Sequence, residues 1–406
     1  MAAKLSGLAG RLGTPARLLA AVLVATGLSL LLRAPTFSYA GAHTQAAFND
    51  FAFSHIWSYS DVASLFFRDR LWRHPAPYFD YRLEYPVVTG AFVWVASLVP
   101  RSVGAYLGVT AAMLGACGAA TVALMRSIPR ANPWLLALSP TVVLYAVFNW
   151  DLLALALTVA ALALFVADRL RPAGAVLALA TWAKVFPVVF LAIVVIALIG
   201  RRRGRHALGL VASFTLVSVA VNLPVALERH GGGVRLRHAW SYFITLNTHR
   251  RGLSVWSLGP HLTTAQLNLA SGLLAIAGVG LALAIVWRHR TRVPAGLLLA
   301  PAGLACLAAL FAVNKVNSPQ YSLWVVALLA LCGAPIALVL AFGVFDVAFF
   351  GADFTSLFLA QHAPTVHDVF HARVVHPAVA VRELFLIGIY CWSLWLISVR
   401  AREASV

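Results

Sequence analysis

Long apolar runs, separated by short polar stretches, recur along the chain from Arg17 to Arg400. A helix that crosses a membrane needs about 20 apolar residues, with roughly 17 as a lower bound. The chain is therefore predicted to be an all-α polytopic membrane protein. The clearest spanning helices are expected over 17–33, 103–125, 206–225, 265–287, 295–312 and 381–399.

Other apolar stretches are interrupted by polar or helix-breaking residues. Broken helices are tolerated in a membrane where the break lines a cavity. The interruption at Gly333-Ala334-Pro335 predicts two short helices. The breaks fall at Asn149-Trp150-Asp151 between 133–148 and 151–167, at Lys184 within 172–200, and at Gly333-Ala334-Pro335 within 320–350.

Composition supports a single membrane domain over 1–406. Hydrophobic residues make up 61% of the chain and charged residues 11%, whereas a soluble domain carries roughly 25% charged residues. The net charge of +18 does not indicate a nucleic-acid partner, because the basic residues form short clusters between apolar runs. The basic N-terminus and the run from Leu18 to Leu32 predict an uncleaved first helix, since the run ends without a small-residue cleavage site.

The basic clusters also predict a topology, because cytoplasmic loops are enriched in lysine and arginine. Both termini are then cytoplasmic, and about twelve crossings follow. The stretch 86–100, between two prolines, must dip in and return or lie along the surface; if it crosses, the count changes. Two long external loops remain, 34–85 and 226–264. The predicted cytoplasmic stretches are the N-terminus with Lys4 and Arg11, 126–130, 168–171, 201–206, 288–292 and 400–403.

The first external loop concentrates charge and aromatic residues. A carboxylate at a water-lined membrane boundary can act as a general base, and arginines can clamp a phosphate. The loop is therefore a candidate catalytic segment; the alternative is a solvated loop closed by Asp–Arg ion pairs. Its acids are Asp50, Asp61, Asp69, Asp80 and Glu84, and its clustered arginines are Arg68, Arg70, Arg73 and Arg82.

Three later polar segments are candidates for an anion site. Lys184 stands alone in an apolar run, which in a membrane is a functional hypothesis, although it can also snorkel to the interface. Asp151 opens an apolar helix and is either an N-cap or a site residue. Convergence of these cations on the first loop would neutralise a phosphate leaving group. The other segments are 314–321, with Lys315, and 247–252, with His249, Arg250 and Arg251; His249 is either an acid–base group or a surface residue.

Soluble nucleotide-binding and metal motifs are missing from the sequence: there is no P-loop, GxGxxG, HExxH or CxxC. An activated substrate would therefore most easily be a lipid that arrives sideways from the bilayer. Two other classes remain open: a transporter or flippase for a lipid or lipid-linked sugar, which broken helices also suit, and a scaffold subunit, which leaves the polar segments unexplained.

Five motifs in order, spread over 59–321, resemble glycosyltransferase family 87, a C-type family whose members use polyprenyl-phosphate sugars. The similarity is to actinobacterial members of that family. The motifs are Tyr59-Ser60-Asp61, Glu84-Tyr85-Pro86-Val87-Val88-Thr89-Gly90, Asn149-Trp150-Asp151, Lys184-Val185-Phe186-Pro187 and Lys315-Val316-Asn317-Ser318-Pro319-Gln320-Tyr321.

The resemblance implies a C-type fold, with short juxtamembrane helices in the first external loop. It also implies transfer of a sugar, usually mannose, from a polyprenyl phosphate to a glycolipid or cell-envelope glycan. Transfer would invert the anomeric carbon, on the outer face of the plasma membrane, with Asp61 as base. Lys184, Lys315, Arg250 and Arg251 would hold the lipid phosphate.

Asp151 would orient the acceptor or the basic groups. No cofactor is expected, although some relatives use a divalent cation, and the protein is expected to be a monomer among membrane lipids. The remaining residues that would bind the sugar or acceptor, or support the site, are Asp80, Glu84, Tyr85, His249, Gln320 and Tyr321.

Overall fold

The computed structural model describes residues 15–227, 229–230, 233–234 and 236–404, with side chains for 15–227 and 242–404. The predicted cytoplasmic residues Lys4 and Arg11 lie outside this part. The first half of the chain forms α1 (Pro15–Leu31), α2 (Gln45–Ser54), α3 (Asp61–Arg68), α4 (Val87–Ser97), α5 (Val103–Met125), α6 (Pro133–Ala137), α7 (Pro140–Tyr145), α8 (Asp151–Val166), α9 (Leu170–Ala183) and α10 (Val188–Gly200).

The second half continues with long helices and one two-stranded antiparallel hairpin. Short 3₁₀ turns and a π-helix (His371–Val375) join some of these elements. The elements are α11 (Gly204–Ala226), β1 (Arg229–His230), β2 (Gly233–Val234), α12 (Leu236–His249), α13 (Thr264–His289), α14 (Ala295–Val313), α15 (Ser322–Cys332), α16 (Ile336–His362), α17 (Pro364–Phe370) and α18 (His376–Glu403).

The chain is a multi-pass membrane protein. Among the described residues, six helical segments are long and apolar enough to cross a membrane: α5, α11, α13, α14, α16 and the continuous segment Pro364–Glu403. Shorter apolar helices, including α1, α8 and α10, pack among them. The prediction for 103–125 is confirmed to the residue, because Ser102 caps α5 and Arg126 ends it.

The predicted helix breaks are confirmed. Helix α8 starts at Asp151, α9 ends at Ala183 before Lys184, and Gly333 ends α15 in a left-handed conformation. Gly333 leaves no room for a side chain, because the Arg130 carbonyl lies against it. The prediction of two short helices over 320–350 is wrong for the second, since α16 runs without a breaker as far as His362.

The stretches predicted to be cytoplasmic meet at one end of the bundle, which we call the basic end. Each contact joins two of these stretches or one of them to a neighbouring helix end. The contacts are Arg130–Glu403 (3.1 Å), Arg203–Asp168 (2.6 Å), the Arg201 guanidinium to the Val293 carbonyl (2.6 Å) and the Arg400 guanidinium to the Cys332 carbonyl (2.9 Å).

Helix α4, within 86–100, contacts the first loop along its whole length. Near its start, Gly90 packs against the Tyr78 ring, and near its end His74 Nδ1 donates to the Ser97 carbonyl (2.5 Å). Eleven residues extend about 16 Å, the same length as α15, so the contacts of α4 rather than its length bear on whether it crosses. These contacts favour the version in which α4 does not cross.

The first loop is a packed layer rather than a solvated strap. Phe48 of α2 stacks on Phe67 of α3 with ring centroids 5.0 Å apart, and Phe66 stacks on Tyr106 of α5 at 5.3 Å. These four rings are buried. Because these rings are buried against one another, α3 and its first residue, Asp61, are held at the end of the bundle opposite the basic end.

Candidate active site

A cleft with an empty volume of about 650 Å³ lies at this opposite end. It forms where three helix breaks and the first loop meet: the start of α3, the turn before α8, the turn after α9 and the 3₁₀ turn before α15. Residues of α12 line its remaining side. The lining residues are Asp61, Glu84, Tyr85, Pro86, Asn149, Lys184, Val185, Phe186, Phe243, Leu246, Asn247, Arg250, Ser318, Gln320 and Tyr321.

Asp61 is held in the cleft by contacts to its backbone and to both carboxylate oxygens. Its N–H donates to the Phe148 carbonyl (2.9 Å), Tyr59 Oη donates to Oδ1 (2.9 Å), and Asn149 Nδ2 donates to Oδ2 (2.7 Å). Burial raises the pKa of Asp61, and the two hydrogen bonds, followed by the charges of Arg250 and Lys184, oppose the shift. The net effect makes Asp61 a better base than an exposed aspartate.

Asp151 and Lys184 form a buried ion pair. Lys184 Nζ lies 2.5 Å from Asp151 Oδ1, which also accepts a hydrogen bond from Trp324 Nε1 (2.7 Å). Asp151 is fully buried and its Oδ2 has no partner among the described residues. The N-cap interpretation is wrong, because Trp150 occupies the N-cap position and Asp151 binds side chains instead.

Lys184 lies in the cleft, not at the lipid interface. Its extended backbone ends α9, and the ammonium lies 5.2 Å from the Tyr321 ring centroid and 5.6 Å from that of Phe186. The side chain is only 15% exposed. The snorkelling interpretation is therefore wrong, and the sequence break at Lys184 does line a cavity.

Arg250 is the cation of the cleft that no side-chain hydrogen bond or ion pair engages among the described residues. It follows α12, is exposed toward the cleft, and makes no side-chain hydrogen bond or ion pair with the part of the chain that the structure describes. Because Lys184 already faces Asp151, Arg250 carries the positive charge most available to an incoming anion.

Glu84 is clamped by an arginine that the sequence motifs did not single out. Arg68 binds Glu84 through two nitrogens (2.5 and 2.7 Å) and Asp69 through two contacts (2.7 and 2.9 Å). Burial raises the pKa of Asp69 to about 6, with Arg68 opposing the shift. The ion-pair interpretation of the first loop therefore holds for these acids, but not for Asp61.

Three further predicted residues, Tyr85, Gln320 and Tyr321, line the cleft. Tyr85 Oη accepts from Asn149 Nδ2 (2.9 Å), which places one amide between Tyr85 and Asp61. Gln320 is buried and its Oε1 has no partner among the described residues. Sequence reasoning did not assign a role to Asn149 or Trp324; Asn149 stands two residues before Asp151, whereas Trp324 reaches Asp151 only in the fold.

Besides Asp151, which meets the cleft only through its ion pair with Lys184, four predicted residues do not line the cleft. Lys315 Nζ donates to the Thr248 carbonyl (2.7 Å) and to Asn268 Oδ1, and Arg251 donates to the Leu262 carbonyl (2.8 Å). Asp80 is exposed and accepts from the Ala76 N–H (2.7 Å), which closes a turn. His249 is exposed at the end of α12. Adjacency in sequence placed these four with the site, but their side chains point elsewhere.

An apolar groove of about 1220 Å³ adjoins the cleft. Val185 and Phe186 belong to the walls of both, so the groove begins beside Lys184. The rest of its lining comes from α10, α13 and α14, and the groove opens on the outer surface of the helix bundle. The described residues contain no group of three or more His, Cys, Asp or Glu side chains placed to hold a metal ion.

Comparison with known proteins gives one family. No curated protein matches the chain. The family model described as mannosyltransferase (PIG-M) matches residues 146–362, more than half of the 406 residues. The matched range contains Asn149, Lys184, Arg250 and Tyr321, which line the cleft, and Asp151, the ion-pair partner of Lys184. The chain therefore belongs to the mannosyltransferase (PIG-M) family, and its apolar helices make it a membrane mannosyltransferase.

Proposed function

We propose that this mannosyltransferase takes mannose from a polyprenyl phosphate and transfers it, with inversion, to a glycolipid or cell-envelope glycan, as family 87 enzymes do. One observation carries the proposal: the Asp61 carboxylate faces the same cleft as Lys184 and Arg250. A base and a phosphate site within one cleft are what displacement of a lipid phosphate requires.

In the proposed reaction the acceptor hydroxyl oxygen attacks the anomeric carbon of mannose. Asp61 takes the hydroxyl proton, and the bond from the anomeric carbon to the phosphate oxygen breaks, with its electron pair staying on the phosphate. Attack from the face opposite the leaving group inverts the anomeric carbon. The reaction as written uses no cofactor.

Arg250 and Lys184 are proposed to receive the departing phosphate. Arg250 supplies a charge that no ion pair among the described residues engages, while Lys184 shares its charge with Asp151. Gln320 and Tyr321 are proposed to bind the sugar or the acceptor, since both line the cleft and the Gln320 amide oxygen has no partner among the described residues. Asn149, which donates to both Tyr85 and Asp61, would hold the Asp61 carboxylate in position. Arg68 would hold Glu84 in the wall of the cleft.

The apolar groove favours a lipid donor. A polyprenyl chain needs a hydrophobic path that ends at the phosphate site, and the groove shares Val185 and Phe186 with the cleft. The prenyl chain is already in the bilayer, so the groove would contribute van der Waals packing and a path to the phosphate site rather than a hydrophobic driving force. A soluble nucleotide sugar has no use for such a groove.

The basic clusters support a cytoplasmic basic end and an extracytoplasmic cleft. We propose twelve crossings in the plasma membrane: α1, α5, the pair α6–α7, α8, α9, α10, α11, α13, α14, α15, α16 and α18. In this arrangement both termini are cytoplasmic, α4 does not cross, and the protein acts as a monomer.

The test is transfer of radiolabel from polyprenyl-phosphate-mannose in membranes that express each variant. Asp61→Asn keeps the size of the side chain but removes the base, so transfer should fall by about 10²–10⁴-fold. Asp80→Asn is the matched control: it lies in the same loop, outside the cleft, and should transfer like the wild type. Unchanged transfer by Asp61→Asn would remove Asp61 from the mechanism. Translocation of the donor by the wild type, without transfer, would instead support the flippase alternative.

A further inference from the structure

Two buried charges lie in α18, away from the motifs and outside the cleft lining. Arg382 and Glu383 are each 4% exposed, within a helix long and apolar enough to span a membrane. Ionisable residues in such helices are costly and therefore functional by default. The guanidinium lies 4.5 Å from the ring centroid of Phe349, which covers it on one face.

The guanidinium of Arg382 joins two separate loops. Nη2 donates to the Leu253 carbonyl (2.9 Å), and Nη1 donates to the Asn317 carbonyl (3.0 Å). Glu383 completes the junction, because its Oε1 accepts from Arg382 Nη2 (3.1 Å) and from Asn317 Nδ2 (3.2 Å). Two main-chain segments are thus held by one planar fork.

The two carbonyls belong to the segments that carry Arg250 and Gln320 into the cleft. Leu253 follows Arg250 by three residues, and Asn317 precedes Gln320 by three. Lys315 adds to the same junction: its ammonium donates to the Thr248 carbonyl, and its carbonyl accepts from the Gly252 N–H (3.1 Å). This explains why Lys315 does not line the cleft.

We propose that Arg382 is a positioning residue that holds Arg250 and Gln320 in register for the donor, with Glu383 and Lys315 as parts of the same brace. The role in donor binding rests on the proposed function, but the hydrogen bonds by which Arg382 joins the two segments do not. A lysine at 382 cannot reproduce two bonds in one plane, so Arg382→Lys should loosen both segments while keeping the charge.

Arg400 provides a matched control on the same helix. It is also buried and also forks to two carbonyls, those of Leu297 (2.5 Å) and Cys332 (2.9 Å), but at the basic end. Arg400→Lys therefore removes an equivalent fork far from the cleft. Any general loss of stability should appear in both variants.

The first measurement is amide hydrogen exchange on the full chain in nanodiscs. Arg382→Lys should speed exchange in 250–258 and 314–321, whereas Arg400→Lys should leave both segments at the wild-type rate. Wild-type exchange in both segments of Arg382→Lys would overturn the brace. This readout needs no donor, so it decides the question even if the proposed function fails.

The second measurement is the affinity for polyprenyl phosphate in the same nanodiscs, as a double-mutant cycle. Arg382→Lys should weaken binding about tenfold in the wild-type background, since small misplacements of site groups are costly. In the Arg250→Ala background the same change should cost less than about twofold, because Arg250 is gone and polyprenyl phosphate carries no sugar for Gln320 to bind. Equal costs in both backgrounds would overturn the positioning role. If the wild type does not bind polyprenyl phosphate, the proposed donor and the role of Arg382 in donor binding are both contradicted. The exchange measurement would still decide whether Arg382 holds the two segments.

Discussion

At the scale of single residues, the site depends on how each charge is partnered. Asp61 receives neutral donors from Tyr59 and Asn149, whereas Glu84 and Asp151 each face a cation. The neutral donors hold both oxygens of Asp61 in the cleft without binding them to a cation, whereas the carboxylates of Glu84 and Asp151 are already engaged by Arg68 and Lys184. The partners, more than the residue type, therefore select Asp61 among the acids of the cleft.

The pH dependence of transfer should report on Asp61. A base acts when deprotonated, so transfer is lost as the pH falls through its pKa, which burial raises. Tyr59→Phe removes a hydrogen bond that lowers this pKa, so the acidic limb of kcat/KM should move to higher pH. Tyr39→Phe is the control, because Tyr39 Oη bonds the Ala42 carbonyl instead. An acidic limb that stays in place in Tyr59→Phe would contradict the assignment.

The Asp151–Lys184 pair should behave as a unit in unfolding. Removing one partner of a buried pair leaves an uncompensated charge and costs about 3–5 kcal/mol. Lys184→Met alone should therefore destabilise the protein strongly, and Lys184→Met with Asp151→Asn should recover much of the loss without restoring transfer. Thermal unfolding in detergent measures both. Equal stability of the single and double variants would argue against the pair.

At the scale of elements, short and broken helices build the site. The α9–α10 break turns Lys184 inward, and α4 stays at the cleft end, where Thr89 Oγ1 donates to the Ala183 carbonyl (2.7 Å). The 3₁₀ turn Pro319–Tyr321 carries Gln320 and Tyr321. Each break frees backbone groups that only a protein-lined cavity can tolerate.

The docking of α4 on the first loop gives a prediction at this scale. A methyl group at Gly90 would overlap the Tyr78 ring, whose Oη donates to the Tyr85 carbonyl (2.8 Å). Gly90→Ala should cost about 1–3 kcal/mol of stability and lower transfer through Tyr85. Gly108→Ala, in an open position of α5, should be neutral or slightly stabilising. Similar effects of the two changes on the melting temperature and on transfer would refute this account of α4.

At the scale of the whole molecule, charge is sorted between the two ends of the bundle. The basic end binds its arginines to helix-terminal carbonyls and a few acids, while the cleft end holds the partnered carboxylates. The family match and the apolar helices establish a multi-pass mannosyltransferase. The direction in which it is inserted follows from the positive-inside rule as a prediction.

Labelling of introduced cysteines tests this orientation in whole cells. In a background without Cys117, Cys306, Cys332 and Cys391, Asp80→Cys should react with a membrane-impermeant maleimide. Arg205→Cys, exposed at the basic end, should react only after the membrane is permeabilised. The reverse pattern would place the cleft on the cytoplasmic side and contradict the proposed donor geometry.

The sequence by itself determined the class, the helices and the breaks, because apolar length and period report directly on membrane spans. It also singled out Lys184, since a lone charge stands out in an apolar run, while the resemblance to family 87 pointed to Asp61 and to the pair Arg250 and Arg251. Only the tertiary structure decided which way side chains point, because direction depends on contacts distant in sequence. It brought Asn149 to Asp61, turned Lys315 and Asp80 away from the cleft, and joined Arg382 to two loops.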